Sequence, residues 1–250
     1  MSEGICFYIQ YSHPLPLLAV CLKSAERHYD GDIHIVMGDQ VPKWFADRLK
    51  RNRRVSTSTL ASMNRFEGAR ISQNCWNTKP LVHKNLPFDN NLLYDCDTVF
   101  VSKFDRSVFD FIGEEQLTSF NHNRGQLPEK SVWQGCKRAE FLHQSIGEKI
   151  EYLPPINGGC VGSSKRGSLP LIDEWLSNIR RIIEGKHKYL KRVPDEYGLS
   201  LAMVKNGIPV GDRRWSYVPL LKNQKDASEQ IGNVFSFHFA HRKYIESPYY

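Results

Sequence analysis

The chain has 250 residues, 40% of them hydrophobic, enough for one well-buried α/β domain or two small ones, and one is expected. A net charge of +7 favours anionic partners: a nucleotide, a phosphorylated substrate, a nucleic acid or an acidic lipid surface. No window approaches 18 uncharged apolar residues, which argues against a membrane span, and the opening "MSEGICFYIQYS" lacks the basic and apolar regions of a secretion signal.

"GICFYIQYS" reads as a first buried strand. "HPLPLLAVCLKSAERHY" then sets Leu18, Cys21, Leu22, Ala25 and Tyr29 at helical spacing, and "GDIHIVMGD" reads as a second strand. Strand, helix and strand within some 35 residues make a βαβ unit and predict a mainly parallel, doubly wound sheet. "VPKWFADRLKRN" follows as a helix, "RVSTST" as a third strand, "ISQNCWNTKPLVHKNL" as a helix or helical loop, and "NLLYD" as a fourth strand. Beyond Val101 the pattern loosens into an α+β half. Its candidate helices lie at 138–147, 168–184 and 194–206, and its short strands near 116–120, 150–153, 159–163 and 233–238. "NHNRGQLPEKS" at 121–131 reads as a polar surface loop.

The six cysteines include no CxxC pair and no zinc-finger spacing, and they predict free thiols in a cytoplasmic protein. The "KRNRR" run reads as a solvated helix end, with peripheral contact with an anionic membrane as its alternative.

The stretch "NNLLYDCDTVFV", residues 90–101, carries the chemistry. Asp95 and Asp97 fall at a strand's carboxyl end, where open α/β sheets bind ligands. Two carboxylates about 6–7 Å apart along a strand repel unless something cationic lies between them, and a divalent cation would remove the conflict.

This segment resembles the donor-binding stretch of GT-A-fold nucleotide-diphospho-sugar glycosyltransferases, in particular the glycogenin and bacterial galactosyltransferase group, whose DxD holds manganese on a nucleotide-sugar diphosphate. The resemblance implies a single glycosyltransferase domain over 1–250. Residues 1–103 would form its nucleotide-binding half and 104–250 its acceptor and sugar-binding half. It also implies a Mn²⁺ (or Mg²⁺) cofactor, a UDP- or GDP-sugar donor, and a glycan, glycolipid or glycoprotein acceptor.

Further segments are similar in the same order. Ile9, Gln10 and Tyr11 occupy the loop that borders the nucleotide, and Arg70 and Lys79 stand where a basic residue faces the donor. "PPINGGCVGSSK" resembles the small-residue turn beside the sugar, which brings in Gly158 and Gly159 as donor-binding residues and Asn157 as a catalytic candidate. "PDEYGLSLAMVKNG" resembles the acidic helix start, with Asp195 and Glu196 as catalytic candidates. "FSFHFAHRK" resembles the late motif in which a His, here His238, completes the metal set with Asp95 and Asp97, and in which a Lys, here Lys243, touches the diphosphate.

The late motif departs from the family's spacing, so His241 rivals His238. Each candidate also has a plainer reading. "NGGC" suits a turn before a strand, Asp195 and Glu196 suit a helix start, and His238 alternates with Phe235, Phe237 and Phe239 as a core histidine would.

Two other classes compete. "LLYDCDTVF" also fits a haloacid dehalogenase-type phosphatase with Asp95 as nucleophile. Its later metal motif is matched only by "VGDRRWS", where Ser216 stands in place of the last Asp. A nucleic-acid-binding protein lacks support, because no interleaved aromatic and basic motif is present.

Overall fold

The computed structural model describes residues 1–10, 15–60, 77–121, 128–217 and 233–239. Its centre is a six-stranded sheet built from β1 (Glu3–Ile9), β2 (Asp32–Gly38), β3 (Val55–Leu60), β4 (Asn90–Tyr94), β6 (Leu117–Asn121) and β7 (Ile156–Ser164), in the order β3-β2-β1-β4-β7-β6. The pairs β3-β2, β2-β1 and β1-β4 are parallel. Only β7 runs against its neighbours β4 and β6, so the sheet is mainly parallel, as the βαβ pattern predicts.

Alternation along each strand sends side chains to two faces. Ile5, Phe7 and Ile9 of β1 join Ile33, Ile35, Leu92 and Tyr94 in a core covered by α1 (Leu15–His28), α2 (Lys43–Leu49) and α4 (Ser107–Glu115). Cys6, Val36 and Leu93 face the other way, onto Val82 of α3 (Lys79–His83) and the following Leu86 and Phe88. Farther along that face, Leu117 and Val161 meet Trp175, Ile179, Leu199 and Met203 of α6 (Leu169–Glu184) and α7 (Pro194–Lys205). Helices therefore cover both faces. Among the described residues, no helix is long and apolar enough to cross a membrane.

Several expectations change. Residues 150–153 form no strand: Pro154 and Pro155 follow directly, and Leu153 N–H donates to Gly135 O at 3.1 Å rather than to a sheet. The helix predicted at 138–147 is α5 and begins ten residues earlier, spanning Pro128–Ile146, with its first proline needing no helical donor. The polar run 121–131 thus ends inside that helix. Helix α4, which carries Val108, Phe109 and Ile112 into the core, was not anticipated. The strand predicted at 159–163 starts at Ile156, so "NGGC" lies within β7 and is not a turn.

A second, two-stranded sheet decides where the site forms. β5 (Thr98–Phe100) pairs antiparallel with β8 (Ser236–His238), with Thr98 opposite His238 and Phe100 opposite Ser236. The register is extended by Phe239 N–H, which donates to Asp97 O at 2.9 Å, while on the other edge of β8 His238 N–H donates to Tyr217 O at 2.8 Å.

Candidate metal centre and the groups around it

The chain leaves β1 towards β2 on one side and returns with β4 on the other, so the carboxyl ends of β1 and β4 flank a topological switch point. Asp95 is the first residue after β4, and its N–H donates to Gly159 O at 2.8 Å, which prolongs the β4–β7 pairing by one step. Asp97 precedes β5. Since β8 is locked to β5, the same ladder that positions Asp97 brings His238 beside it. Ligand atoms of Asp95, Asp97 and His238 lie within 4.8 Å of one another, a group that could hold a metal ion.

The side chains fit that use. Buried Asp97 Oδ1 has no hydrogen bond, although His238 Nε2 lies 3.2 Å from it and 3.8 Å from Asp95 Oδ2. The close approach is not aligned as a hydrogen bond, and a cation between the groups would satisfy both oxygen and nitrogen. Asn157 fixes the imidazole. Its Oδ1 accepts from Gly159 N–H at 2.9 Å, while its Nδ2 donates to the Ser216 hydroxyl and, at 3.3 Å, to Ser216 O. A backbone N–H can only donate, so the amide orientation is set. His238 Nδ1, 2.8 Å from the same Oδ1, must then carry the proton in the neutral ring. This leaves the Nε2 lone pair directed at the aspartates, the arrangement that a metal-ligating histidine requires.

Charges around the aspartates answer the repulsion posed by the sequence. Lys79, 5% exposed, places Nζ 2.9 Å from Asp95 Oδ1 and 3.1 Å from Oδ2, donates to Gly158 O at 2.7 Å, and lies 3.7 Å from Asp195 Oδ2. Burial alone would lower its pKa, but Asp95 and Asp195 outweigh burial and hold it well above the ordinary value. For His238, too, burial pulls the pKa down while Asp97 and Asp95 raise it further, so the net shift is upward. Asp97 shows the reciprocal effect: burial would raise its pKa, yet His238 holds it below the usual carboxylate range. Lys79 is thus a standing cation for Asp95, whereas Asp97 faces the His238 ring.

Asp195 and Glu196 occupy the first turn of α7, where the helix dipole favours carboxylates. Asp195 is buried and its Oδ1 is unpartnered; burial raises its pKa despite Lys79. Glu196 Oε1 accepts from Gly158 N–H at 3.2 Å, and burial together with neighbouring Asp195 pushes its pKa up to about 7.

The structure sorts the predicted residues. Asp95, Asp97, His238, Asn157, Gly158, Gly159, Lys79, Asp195 and Glu196 form one connected network. Ile9 lies within β1, buried in the core, so the loop after that strand begins at Gln10, which accepts from the Tyr8 hydroxyl at 3.2 Å. Tyr11, Arg70, His241 and Lys243 lie outside the described residues. Asn157, a catalytic candidate, orients the His238 ring through its Oδ1. Lys79 is committed to Asp95 and Gly158 O. Gly158 and Gly159 are strand residues whose missing side chains make room: a Cβ on Gly159 would lie 2.5 Å from His238 Nε2, and one on Gly158 2.7 Å from Glu196 Cγ. Ser216, which completes the Asn157 clamp, was considered only as a mismatch to the phosphatase motif. In that same motif Asp212 accepts from Arg214 N–H at 2.9 Å and pairs with its Nε at 3.1 Å. The five described cysteines are free thiols. No family model matches this chain, and no curated protein matches it at a significant level.

Proposed function

We propose that the protein is a metal-dependent glycosyltransferase of the GT-A kind, a hexosyl- or pentosyltransferase that moves a sugar from a nucleotide-diphosphate donor to a carbohydrate-bearing acceptor. The observation that carries this reading is the Asp95–Asp97–His238 group at the switch point of a mainly parallel sheet. Two hard carboxylate oxygens with one imidazole nitrogen suit Mn²⁺ better than Mg²⁺, which favours all-oxygen shells. When bound, such an ion shields the charge that develops on a departing nucleoside diphosphate.

The chain's own groups have separable tasks in this scheme. Asp95 and Asp97 hold the ion, and Lys79 orients Asp95 through contacts to both of its oxygens. Asn157 keeps the His238 proton on Nδ1, away from the ion. Glu196, titrating near neutrality, is suited to take or return a proton at an acceptor hydroxyl. A UDP-sugar is the favoured donor and a GDP-sugar the alternative.

The test is a screen of UDP- and GDP-sugars for slow hydrolysis with Mn²⁺, which needs no acceptor. The expected result is release of nucleoside diphosphate from one donor only when the metal is present. Equal donor binding with Mn²⁺ and with excess chelator, or phosphate release from simple phosphomonoesters, would overturn the reading.

A further inference from the structure

Beside Glu196 lies a surface that the proposed chemistry does not use. Tyr189 is 41% exposed and Tyr152 is 36% exposed, so both rings are accessible. Tyr152 is laid against α5 at Gly135, where a Cβ would come within 2.8 Å of its Cζ, so the helix has no side chain at the point where the ring rests. Tyr189 packs 6.2 Å, centroid to centroid, from the buried Tyr197 of α7, the residue next to Glu196.

Arg138 sits among these rings. Its guanidinium lies 5.7 Å from the Tyr197 ring centroid, it is half-buried, and it forms no ion pair among the described residues. Its charge acts on Glu196, Tyr152 and Tyr197 alike, which places it between the aromatic surface and the catalytic candidate. The neighbouring segment 186–192, "KHKYLKR", adds four Lys and Arg residues. Flat accessible rings suit the apolar faces of sugar rings, and an unpaired guanidinium suits a carboxylate or phosphate.

We infer that Tyr152, Tyr189 and Arg138 form an acceptor subsite for an anionic oligosaccharide, with the sugar rings on the two tyrosines and the anionic substituent on Arg138. This inference rests on the glycosyltransferase reading. It assigns the acceptor class: a glycan bearing a carboxylate or a phosphate near the residue to be extended.

Binding is measured on the full chain with three tetrasaccharides: one alternating glucuronate and N-acetylglucosamine, maltotetraose 6-phosphate, and neutral maltotetraose. At least one anionic glycan should bind tenfold or more tightly than the neutral one, and the two anionic arms tell carboxylate from phosphate. Arg138→Ala should reduce this advantage by about ten- to a hundredfold, the range for a charge-assisted hydrogen bond, with Arg138→Lys retaining part of it. Tyr189→Ala should weaken all glycans by about three- to tenfold. An advantage that survives Arg138→Ala overturns the subsite. So does Tyr189-dependent binding to phosphatidylglycerol vesicles with no glycan bound, which would make the patch a membrane surface. Donor hydrolysis by the unaltered protein separates the two levels. Hydrolysis without glycan discrimination overturns the subsite alone, and discrimination without hydrolysis overturns the reaction class while the subsite stands.

Discussion

Replacing Gly159 by alanine should strip His238 from the metal centre while leaving the sheet in place. Gly159 is held on both sides, with its N–H donating to Asn157 Oδ1 at 2.9 Å and its carbonyl accepting from Asp95 N–H at 2.8 Å, so the backbone cannot swing aside. The new Cβ would lie 2.5 Å from His238 Nε2 and 2.6 Å from Nδ1. The nearest ring atom, Cε1, would be 2.1 Å away, so the ring must retreat by about 1.4 Å to reach an ordinary contact of roughly 3.5 Å. Metal–ligand distances tolerate only about 0.2 Å, and losing an orienting contact alone costs about 10- to 100-fold in affinity. Calorimetric Mn²⁺ affinity should therefore fall by at least that factor. Urea unfolding should show an overpacking cost of about 1–3 kcal/mol. In a double-mutant cycle with His238→Ala, which removes the ring, most of that cost should disappear, because the two changes act on one contact. Native-like Mn²⁺ affinity in Gly159→Ala, or an equal stability cost in both backgrounds, would refute the reasoning.

Asp97→Asn should reduce donor turnover by about 10²- to 10³-fold or more with little change in stability, measured by nucleoside diphosphate release and thermal melting. Asp95→Asn should lose comparable activity and also destabilise the fold, since it strips the buried Lys79 of its nearest carboxylate; breaking a buried pair costs about 3–5 kcal/mol, here lessened by Asp195 and Gly158 O. Asn157→Ala should weaken Mn²⁺ binding by about 10- to 100-fold, by freeing the His238 ring to change tautomer. Glu196 gives the pH test. Its pKa rises from 4.5 to about 7 on folding, so its contribution to stability is complete below pH 4.5 and is lost as the pH climbs through 7. The melting temperature of Glu196→Gln should therefore gain on that of the native protein between pH 5 and 8; a constant difference would contradict the shift.

The first four strands and their helices were legible because each carries its own pattern, from the alternation of Ile5, Phe7 and Ile9 to the helical spacing of α1. Asp95 and Asp97 stood out because two charges interrupt an apolar run. His238 was legible only as a candidate, since a core histidine flanked by phenylalanines has the same pattern. What separates the two readings is the pairing of Thr98 with His238, a contact across 140 residues with no local signature. Lys79 was recognised as a cation near the site, but its bond to Asp95 was not legible, because it depends on how α3 meets β4. Gly158 and Gly159 were read through turn propensity. Their actual constraint is the space taken by Glu196 and His238, which belongs to other parts of the chain.

The placement of β8 outside the six-stranded sheet has a consequence for biosynthesis. Every strand of the large sheet has been translated by Ser164, whereas the third ligand arrives only with His238. A nascent chain can thus assemble its core before any tight Mn²⁺ site exists, and local pairing alone cannot hasten the last step, since it closes a loop from Thr98 to His238. Tight metal capture would then wait until His238 has been translated. A ribosome-stalled fragment ending before residue 236 should resist proteolysis across the central sheet and still bind Mn²⁺ only weakly.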